Sequence, residues 1–591
     1  MDIKQYFQDE MNFLHDQGKE FVGLYPKLAS FLAEESSDPD VERLLEGFAF
    51  LTARLRQKVE DQFPEITHSI LNLLWPNYLR SIPSLCMMKF NPLEDSITGR
   101  KAITRETVVG SIPVDSTICE FRTTSEILMY PLLLADINST QTRETSTISL
   151  QLETFGDLPL GQIDLTSLEF YLGDEYSQAS SLYLWFFRYL KAIKIEVDGK
   201  SLMLPVSSLQ PSGLNDDQGL LPYQDNVFHG YRLLQEFFTF PEKFLSIKLS
   251  SLGESFKDRQ AKEFTLNFEF ERPLPKEIRV GQQTMQLYCS PAINLFSMSA
   301  DPIKMDGTRN LYPITPRRSS PGHFEIFSVD KLEGWVMDDG GNMVEDTGHE
   351  YHEFESFRHD VEYAYDRRII YYKLRIKESI RREGTEHDIA FVYEDEKEAL
   401  KASDVVSLNL SCSNSTLPLD LNIGDVSHPT LDSPTYVGFS NITKPIPPVP
   451  PILDGTLFWR LISNLSLNYV SLLDKEALIT ILSSYDFPSQ QNRLAERTSK
   501  RRYQGIISLD TEPTDVLFKG LPIRGLITHI VMDENYFLSE GDMYLFATVL
   551  AEFFSQYSSI NSFHILKVTN TKNKEEYQWQ WDAKKGQQPL I

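Results

Sequence analysis

The sequence predicts a multidomain α+β protein with a helical N-terminal region, β-rich central domains and an α+β C-terminal domain. Two patterns indicate this class. Apolar residues recur at helical spacing over the first 85 residues, and from about Pro83 they recur at every second residue, as in strands. The chain of 591 residues is also long enough for about four domains.

The first predicted domain, residues 1–85, reads as three helices that each carry an apolar stripe. The second helix begins near Asp38-Pro39, where an acidic cap and a proline suit the first turn. Its stripe contains Leu44, Leu45, Phe48, Leu51 and Leu55. Because three helices alone have little to bury against, the stripe forms either an internal core or part of a bundle shared between chains.

The central sequence alternates apolar and polar residues and predicts two β-rich domains, residues 86–290 and 291–443. One predicted helix, Gly230–Phe238, interrupts the strands and ends before Pro241. The acidic residues 330–365 lack this alternation, and we interpret them as an irregular surface insertion. Strands are clearest in the segments 148–152, 193–197, 264–270, 372–376 and 406–412, and another begins at 285–289.

The last predicted domain, residues 444–591, begins with the polyproline stretch PIPPVPP at 445–451, which we interpret as a rigid domain linker. An amphipathic segment that contains Trp459 and Arg460 follows it. Apolar spacing then predicts a helix at 475–485, a strand at 523–531, an amphipathic helix at 543–557 and a final strand at 563–568.

Basic residues are concentrated between positions 493 and 502 of an otherwise acidic chain. This cluster either contacts an acidic partner, since a positive patch on a negative protein steers assembly, or forms an exposed linker. Its members are Arg493, Arg497, Lys500, Arg501 and Arg502.

The overall charge excludes several classes of partner. The chain has 84 Asp and Glu against 57 Lys and Arg, a net charge of −27, so we expect no nucleic-acid partner and no attraction to anionic membranes. We find no signal peptide, and no apolar run approaches the roughly 18 residues of a membrane span, so no direct membrane insertion is expected. Four isolated cysteines favour a reducing compartment over a disulfide scaffold.

The motifs predict neither catalysis nor a bound cofactor or metal. Gly199-Lys200-Ser201 matches the end of a phosphate-binding loop, but Lys194 replaces the first glycine of that motif and strands flank it, so a hairpin turn is expected. His349 and His352 lie among carboxylates without the spacing of a zinc site, which favours a solvated loop. A GxSxG nucleophile motif is absent from the sequence. We therefore expect a protein that is not an enzyme.

Several long stretches are distributed in order along essentially the whole chain. They are LYPKL (24–28), DPDVERLLEGFAFL (38–51), FPEITHSILNLLWPNYL (63–79) with IPS (82–84), GYRLLQEFFTFPEKFL (230–245), CSPAINLF (289–296) with ADPI (300–303), KPIPPVPPILDGTLFWRLISNLSLNYVSL (444–472) and GDMYLFATVLAEFFSQYSSINSFHIL (541–566). Together they resemble the TssF family (also VasA or ImpG) of type VI secretion system baseplate subunits. The acidic 330–365 and basic 493–502 segments match the family less well.

The resemblance implies a structural role in a phage tail-like contractile injection machine. TssF looks like the wedge protein of contractile phage baseplates, and two copies are expected to join one TssG. That heterotrimer is expected to attach to TssK, which docks on the inner-membrane complex. TssE, the sheath and the VgrG hub are further expected neighbours. The expected location is the bacterial cytoplasm, docked at the inner face of the inner membrane through the baseplate.

The helical stripe and the fourth stretch supply the candidate partner-interface residues. A bundle with TssG would use the stripe, and the segment 543–568 is a second candidate, for contact between wedges, although burial within its own domain explains the same pattern. The candidate residues are Leu44, Leu45, Phe48, Leu51, Trp459 and Arg460.

Two other functional classes stay open at this point. A secreted effector or hydrolase associated with the system would need a nucleophile or a metal site. A generic protein-binding module would use the proline stretch or the basic cluster.

Overall fold

A computed structural model gives the fold, and it describes residues 7, 11, 43, 46–54, 71–72 and most of 75–580. The segments of 75–580 outside the described residues are 94–95, 157, 174, 224–228, 258, 306–308, 318–321, 337–347, 355–370, 380–383, 393–403, 454–473, 519–520 and 559–561. The chain divides into two compact units. The first comprises Met1–Pro76, Glu355–His359 and Asp454–Ile462, and the second comprises the rest.

The longest described helix of the first unit is α1, residues 46–54. It confirms the helical spacing predicted there. The small residues Ala49 and Ala53 are buried, whereas Phe48 and Leu51 are each 61% exposed. The rest of the predicted helical region lies almost entirely outside the described residues and stays a prediction.

The described part of the second unit is built mainly from strands up to residue 441, and three α-helices lie among these described residues. Its strands are β1 (Leu85–Pro92), β2 (Lys101–Ile103), β3 (Val108–Val114), β4 (Thr117–Thr123), β5 (Ile127–Met129), β6 (Leu132–Gln141), β7 (Ser146–Thr154), β8 (Ser167–Leu172), β9 (Leu190–Val197), β10 (Lys200–Leu204), β11 (Leu209–Ser212), β12 (Ser246–Ser250), β13 (Glu263–Phe270), β14 (Met285–Leu287), β15 (Cys289–Ile293), β16 (Phe296–Ser299), β17 (Ile303–Lys304), β18 (Tyr312–Pro313), β19 (Glu325–Val336), β20 (His349–Glu350), β21 (His352–Glu353), β22 (Tyr371–Glu378), β23 (Thr385–Val392), β24 (Asp404–Ser413) and β25 (Val437–Asn441). The helices are α2 (Tyr176–Leu184), α3 (His229–Thr239) and α4 (Gly253–Phe256).

These strands form several sheets with mostly antiparallel pairing. The larger ones have the strand orders β25-β1-β15-β4-β3, β10-β9-β13-β7-β6, β11-β12-β8-β14, β16-β24-β19-β20 and β18-β23-β22-β21. The predicted two-residue period is confirmed in β7, where Ile148, Leu150 and Leu152 are fully buried and the intervening residues are not. The turn between β9 and β10 is Asp198-Gly199, with both φ angles positive, as predicted for a hairpin.

The C-terminal part of the second unit is α+β, as predicted. Its described helices are α5 (Lys475–Tyr485), α6 (Phe487–Gln491), α7 (Arg493–Gln504) and α8 (Glu540–Tyr557), and its described strands are β26 (Ile506–Phe518), β27 (Leu521–Met532), β28 (Phe563–Asn570) and β29 (Glu576–Gln580). Strands β27 and β28 pair in parallel, and α8 connects them as a βαβ unit. The predicted strand at 563–568 is confirmed as β28, but it is not the final strand, because β29 follows it and pairs with it.

Helix α8 is an interior helix, and the prediction that it is amphipathic was wrong. Phe546, Val549 and Phe553 are fully buried, but so are polar residues on other sides of the helix, such as Glu552. The helix packs against α2, α3 and β28. The Phe237 ring of α3 lies 5.6 Å from that of Phe546, measured between centroids. Burial within its own unit thus accounts for the apolar residues of α8.

Two other expectations from the sequence need correction. The predicted strand at 285–289 is two strands, because Tyr288 has a φ of +58° and the chain there leaves the partner β8 for β1. The acidic 330–365 region is not irregular throughout, since β19 extends to Val336 and Tyr351 is buried in the core beside β19. Within the proline stretch, the Val449 backbone exchanges two hydrogen bonds with the Ile82 backbone, and the role of this stretch as a rigid domain linker stays a prediction.

Replacing Gly541 with alanine is expected to lower the thermal unfolding midpoint. A Cβ on Gly541 would lie 2.3 Å from the carbonyl oxygen of Ser180 in α2, and backbone cannot move aside as a side-chain end can. Overpacking of this kind costs about 1–3 kcal/mol. The matched control is Gly281→Ala, whose Cβ would meet nothing within 4 Å. Equal midpoints for the two variants would contradict the close packing of α8 on α2.

Candidate interaction surfaces

The exposed face of α1 is the clearest apolar surface on the predicted interface residues. Phe48 and Leu51 are three residues apart and therefore lie on one face of the helix. Phe50 is also exposed. Large apolar side chains in water favour a covering partner. Four candidate residues, Leu44, Leu45, Trp459 and Arg460, lie outside the described residues, so the structure does not place them with Phe48 and Leu51.

The basic cluster forms α7, which excludes the linker interpretation. The Asn492 side chain caps the helix by accepting a hydrogen bond from the Leu494 N–H at 2.9 Å. Four of the five basic residues are exposed: Arg493, Arg497, Lys500 and Arg501. Arg502, the fifth, turns inward. The cluster therefore divides into an exposed basic face and one internal residue.

Arg502, the internal residue of the cluster, forms an ion pair with Asp542 at the start of α8. Arg502 donates through one nitrogen to both Asp542 oxygens, at 3.0 and 3.2 Å, and Tyr176 donates its hydroxyl at 2.9 Å. The Arg502 side chain is 11% exposed and that of Asp542 is 1% exposed. Burial of the ion pair together with its hydrogen bonds ties α2, α7 and α8 to one another.

A second buried charge network lies under α3, and sequence reasoning missed it. Arg232 and Glu236 are one helical turn apart and interact at 3.3 Å, and Lys243 donates to the same Glu236 oxygen. The other Glu236 oxygen accepts the Leu220 N–H at 2.7 Å. Burial lowers the pKa of Lys243 to about 8, against the opposing effect of Glu236. The Glu236 carboxylate thus pairs with two buried cations and also accepts a hydrogen bond from the loop that contains Leu220.

Burial raises the pKa of all four cysteine thiols of the second unit. Burial raises the thiol pKa of Cys119 to about 11 and of Cys289 and Cys412 to about 12, so these thiols stay protonated and unreactive near neutral pH. Burial also raises the pKa of Cys86. Within the described part of the chain, no three His, Cys, Asp or Glu side chains group as metal ligands would. His352 lies in β21, beside β22.

One cleft of about 380 Å³ lies between strands of the second unit. Its lining contains both signs of charge, and the charged residues are Arg105, Lys248, Glu126, Glu169 and Asp217. Burial raises the pKa of Glu169, while a hydrogen bond from Ser212 opposes that rise. The lining includes the Cys289 thiol, which is protonated near neutral pH. We assign no chemistry to this cleft.

Lowering the pH from 7 to 5 is expected to destabilise the chain through His564. Burial lowers the pKa of this imidazole to about 3, from 6.5 in the unfolded chain, and Thr528 bonds its Nε2 at 2.8 Å. Below pH 6.5 the imidazole is therefore protonated in the unfolded chain but stays neutral in the folded chain. This difference lowers the free energy of unfolding by about 2 kcal/mol at pH 5. In thermal unfolding, His564→Gln should lose this part of the pH dependence, whereas His428→Gln at an exposed position should retain it. An unchanged pH dependence in His564→Gln would refute the assignment.

Across the described segments, no helix has both the length and the apolar character needed to cross a membrane.

Comparison with known proteins identifies the family. The family model for TssF of the type VI secretion system matches residues 1–588. The type VI secretion system component TssF1 of Pseudomonas aeruginosa strain PAO1 is 29% identical over 636 aligned positions, which cover all of this chain and 99% of that protein.

Two solved structures share the fold. A chain in the cryo-electron microscopy structure of the TssK-TssF-TssG baseplate subcomplex is 30% identical, with a TM-score of 0.76 over 93% of this chain and 99% of that one. A chain in the baseplate complex from the type VI secretion system is 26% identical, with a TM-score of 0.62 over 98% of both chains. The match therefore extends over sequence and fold along nearly the full length, and the chain belongs to the TssF family of type VI secretion system proteins.

Proposed function

We propose that this chain is a structural wedge subunit of the type VI secretion system baseplate and that it assembles with TssG and TssK. The observation that carries the proposal is the nearly full-length match, at 30% identity, to a chain from the TssK-TssF-TssG subcomplex. An assembly protein needs broad complementary faces rather than a polarised pocket. The protonated, buried thiols and the exposed apolar side chains of α1 agree with that role.

The exposed face of α1 is proposed to pack into a helical bundle with TssG. Phe48 and Leu51 provide the described part of this face. Leu44, Leu45, Trp459 and Arg460 are proposed to extend it, on the sequence pattern alone. Both side chains are more than half exposed, so a partner helix that covers them would bury apolar surface. Buried apolar side chains of this size are typical anchors of an interface between subunits.

The wider assembly is proposed by the same reasoning from the family. A second copy of this chain, TssE, the sheath and the VgrG hub are the proposed further neighbours, and TssK is proposed to connect the wedge to the inner-membrane complex. The proposed location is accordingly the cytoplasmic side of the inner membrane. The proposed function needs no catalytic step.

Coproduction with TssG from the same bacterium tests the proposal. An affinity tag on this chain should retain TssG through size-exclusion chromatography, and TssK should join when it is added. The control is an unrelated tagged protein of similar charge. Purification of this chain free of both subunits, under conditions where each is soluble, would refute the proposal.

A further inference from the structure

Four large aliphatic side chains are exposed around one corner of the sheet that contains β3 and β4. They are Ile112, Ile118, Ile423 and Leu431, and we call them the Ile423 patch. Ile423 is 64% exposed and Leu431 is fully exposed. Single exposed aliphatic residues are common on protein surfaces, but a group of them marks an interaction site.

Hydrogen bonds bring the two segments of the patch together. The edge of β3 is covered by the loop after residue 421: the Ile112 N–H donates to the Asp425 carbonyl at 2.8 Å, and Gly110 and His428 exchange two backbone bonds. Side-chain methyl groups of Ile118 and Thr430 both lie within 3.4 Å of the point where a Cβ on Gly110 would be. Leu431 follows Thr430 directly, so the four aliphatic residues share this corner.

Hydrogen bonds fix the conformation of the loop that carries Ile423 and Leu431. The Asn441 side-chain oxygen accepts the N–H groups of Gly424 and Val426, and the Asn441 amide donates to the Asn422 carbonyl. Val426 is fully buried. The Thr430 hydroxyl bonds the Val108 carbonyl at 2.9 Å. A surface that is already ordered loses little conformational entropy when a partner binds.

The two chain segments that form the patch contain acidic residues but no basic ones. Residues 106–121 and 405–443 contain no Lys or Arg, although each segment contains several carboxylates. Asp115 and Asp432 are exposed, and Asp425 is half-buried. A twofold contact between copies of this chain would oppose these carboxylates to one another, which disfavours self-association through this face.

We propose that the Ile423 patch docks a basic surface of another baseplate subunit, with apolar side chains at its centre and Lys or Arg at its rim. The inference rests on the proposed function and adds the chemistry of one contact. Apolar contact supplies the core of such an interface, and the acidic rim selects a partner of opposite charge. The patch belongs to the second unit and is distinct from the α1 face proposed for TssG.

Photocrosslinking in cells that produce the whole baseplate tests the proposal. The probe is p-benzoylphenylalanine in place of Leu431 or, separately, of Ile423, because both side chains point into solvent and neither should affect folding. The control is the same probe in place of Met203, which is 64% exposed on β10. The crosslinked peptide is sequenced, and TssG copurification is measured on the same samples.

The proposal expects crosslinks from 423 and 431, absent from 203, to a segment of another subunit rich in Lys or Arg and apolar residues. Asp432→Lys should reduce the crosslink yield from 423 at least several-fold, whereas Glu196→Lys on β9 should not. A yield no higher than at 203, a crosslink to an acidic segment or to a second copy, or indifference to Asp432→Lys would overturn the inference. With TssG copurification intact, these results refute the patch alone; loss of TssG copurification by the unsubstituted chain refutes the proposed function.

Discussion

Replacing Phe48 with aspartate is expected to abolish copurification of TssG and to leave the fold intact. The Phe48 side chain is 61% exposed in the isolated chain, so its own unit loses little when it is replaced. In a helical bundle with TssG the same position would become buried, and a carboxylate there would lose its hydration without gaining a partner. Loss of an interface anchor costs at least about 2 kcal/mol, and an added buried charge costs more, so affinity should fall more than about 30-fold.

A second test variant and a control variant show whether the effect of Phe48→Asp is specific to the apolar stripe. Leu45→Asp, at a position outside the described residues, should behave like Phe48→Asp if the predicted stripe is continuous. Met203→Asp places the same charge at a residue of similar exposure on β10 and should retain TssG. Circular dichroism and the thermal midpoint check that all three variants fold. Retention of TssG by Phe48→Asp at wild-type levels would remove α1 from the interface.

Replacing Glu236 with glutamine is expected to destabilise the second unit more than any surface charge change. Its side chain is 2% exposed and neutralises two buried cations, Arg232 and Lys243. After the substitution, Arg232 keeps Asp216 at 3.1 Å, but Lys243 loses its ion-pair partner within the network. Removing one partner of a buried charge pair costs about 3–5 kcal/mol, because the remaining charge stays out of water.

A surface pair of the same type provides the control. Lys194 and Glu269 join β9 to β13, and both side chains are about one-third exposed. Glu269→Gln should cost no more than about 1 kcal/mol, since water solvates the lysine that is left. Combining Glu236→Gln with Lys243→Met should recover part of the lost stability, because the uncompensated cation is then gone. Similar thermal midpoints for Glu236→Gln and Glu269→Gln would show that the network under α3 contributes little.

The strand-rich part of the fold follows from local pattern, and its corrections have physical reasons. β7 alternates cleanly because one face packs in a core and the other does not. At Tyr288 the alternation continues although the chain changes sheets, because a change of partner leaves no mark on a two-residue period. For α8, the apolar spacing predicted an amphipathic helix, but the structure also buries the polar residues Thr548 and Glu552. Sequence spacing cannot distinguish a solvated polar face from one satisfied by internal partners.

Interaction residues are harder to predict than elements. Arg232 and Glu236 have the spacing of an ordinary surface pair on a helix, so nothing in the sequence marks them as buried. The Ile423 patch joins two segments about 300 residues apart, and only the pairing of β3 with the loop after 421 brings them together. For α1, helical spacing identified an apolar stripe, and the structure added that Phe48 and Leu51 face solvent.

The mass of the complex formed with TssG tests the central claim most directly. The chain and TssG are coproduced, purified through a tag on TssG, and weighed by native mass spectrometry. The account predicts one species with two copies of this 68.0 kDa chain and one TssG, and Phe48→Asp should eliminate it. Recovery of TssG alone, with this chain present only as a free monomer, would contradict the account.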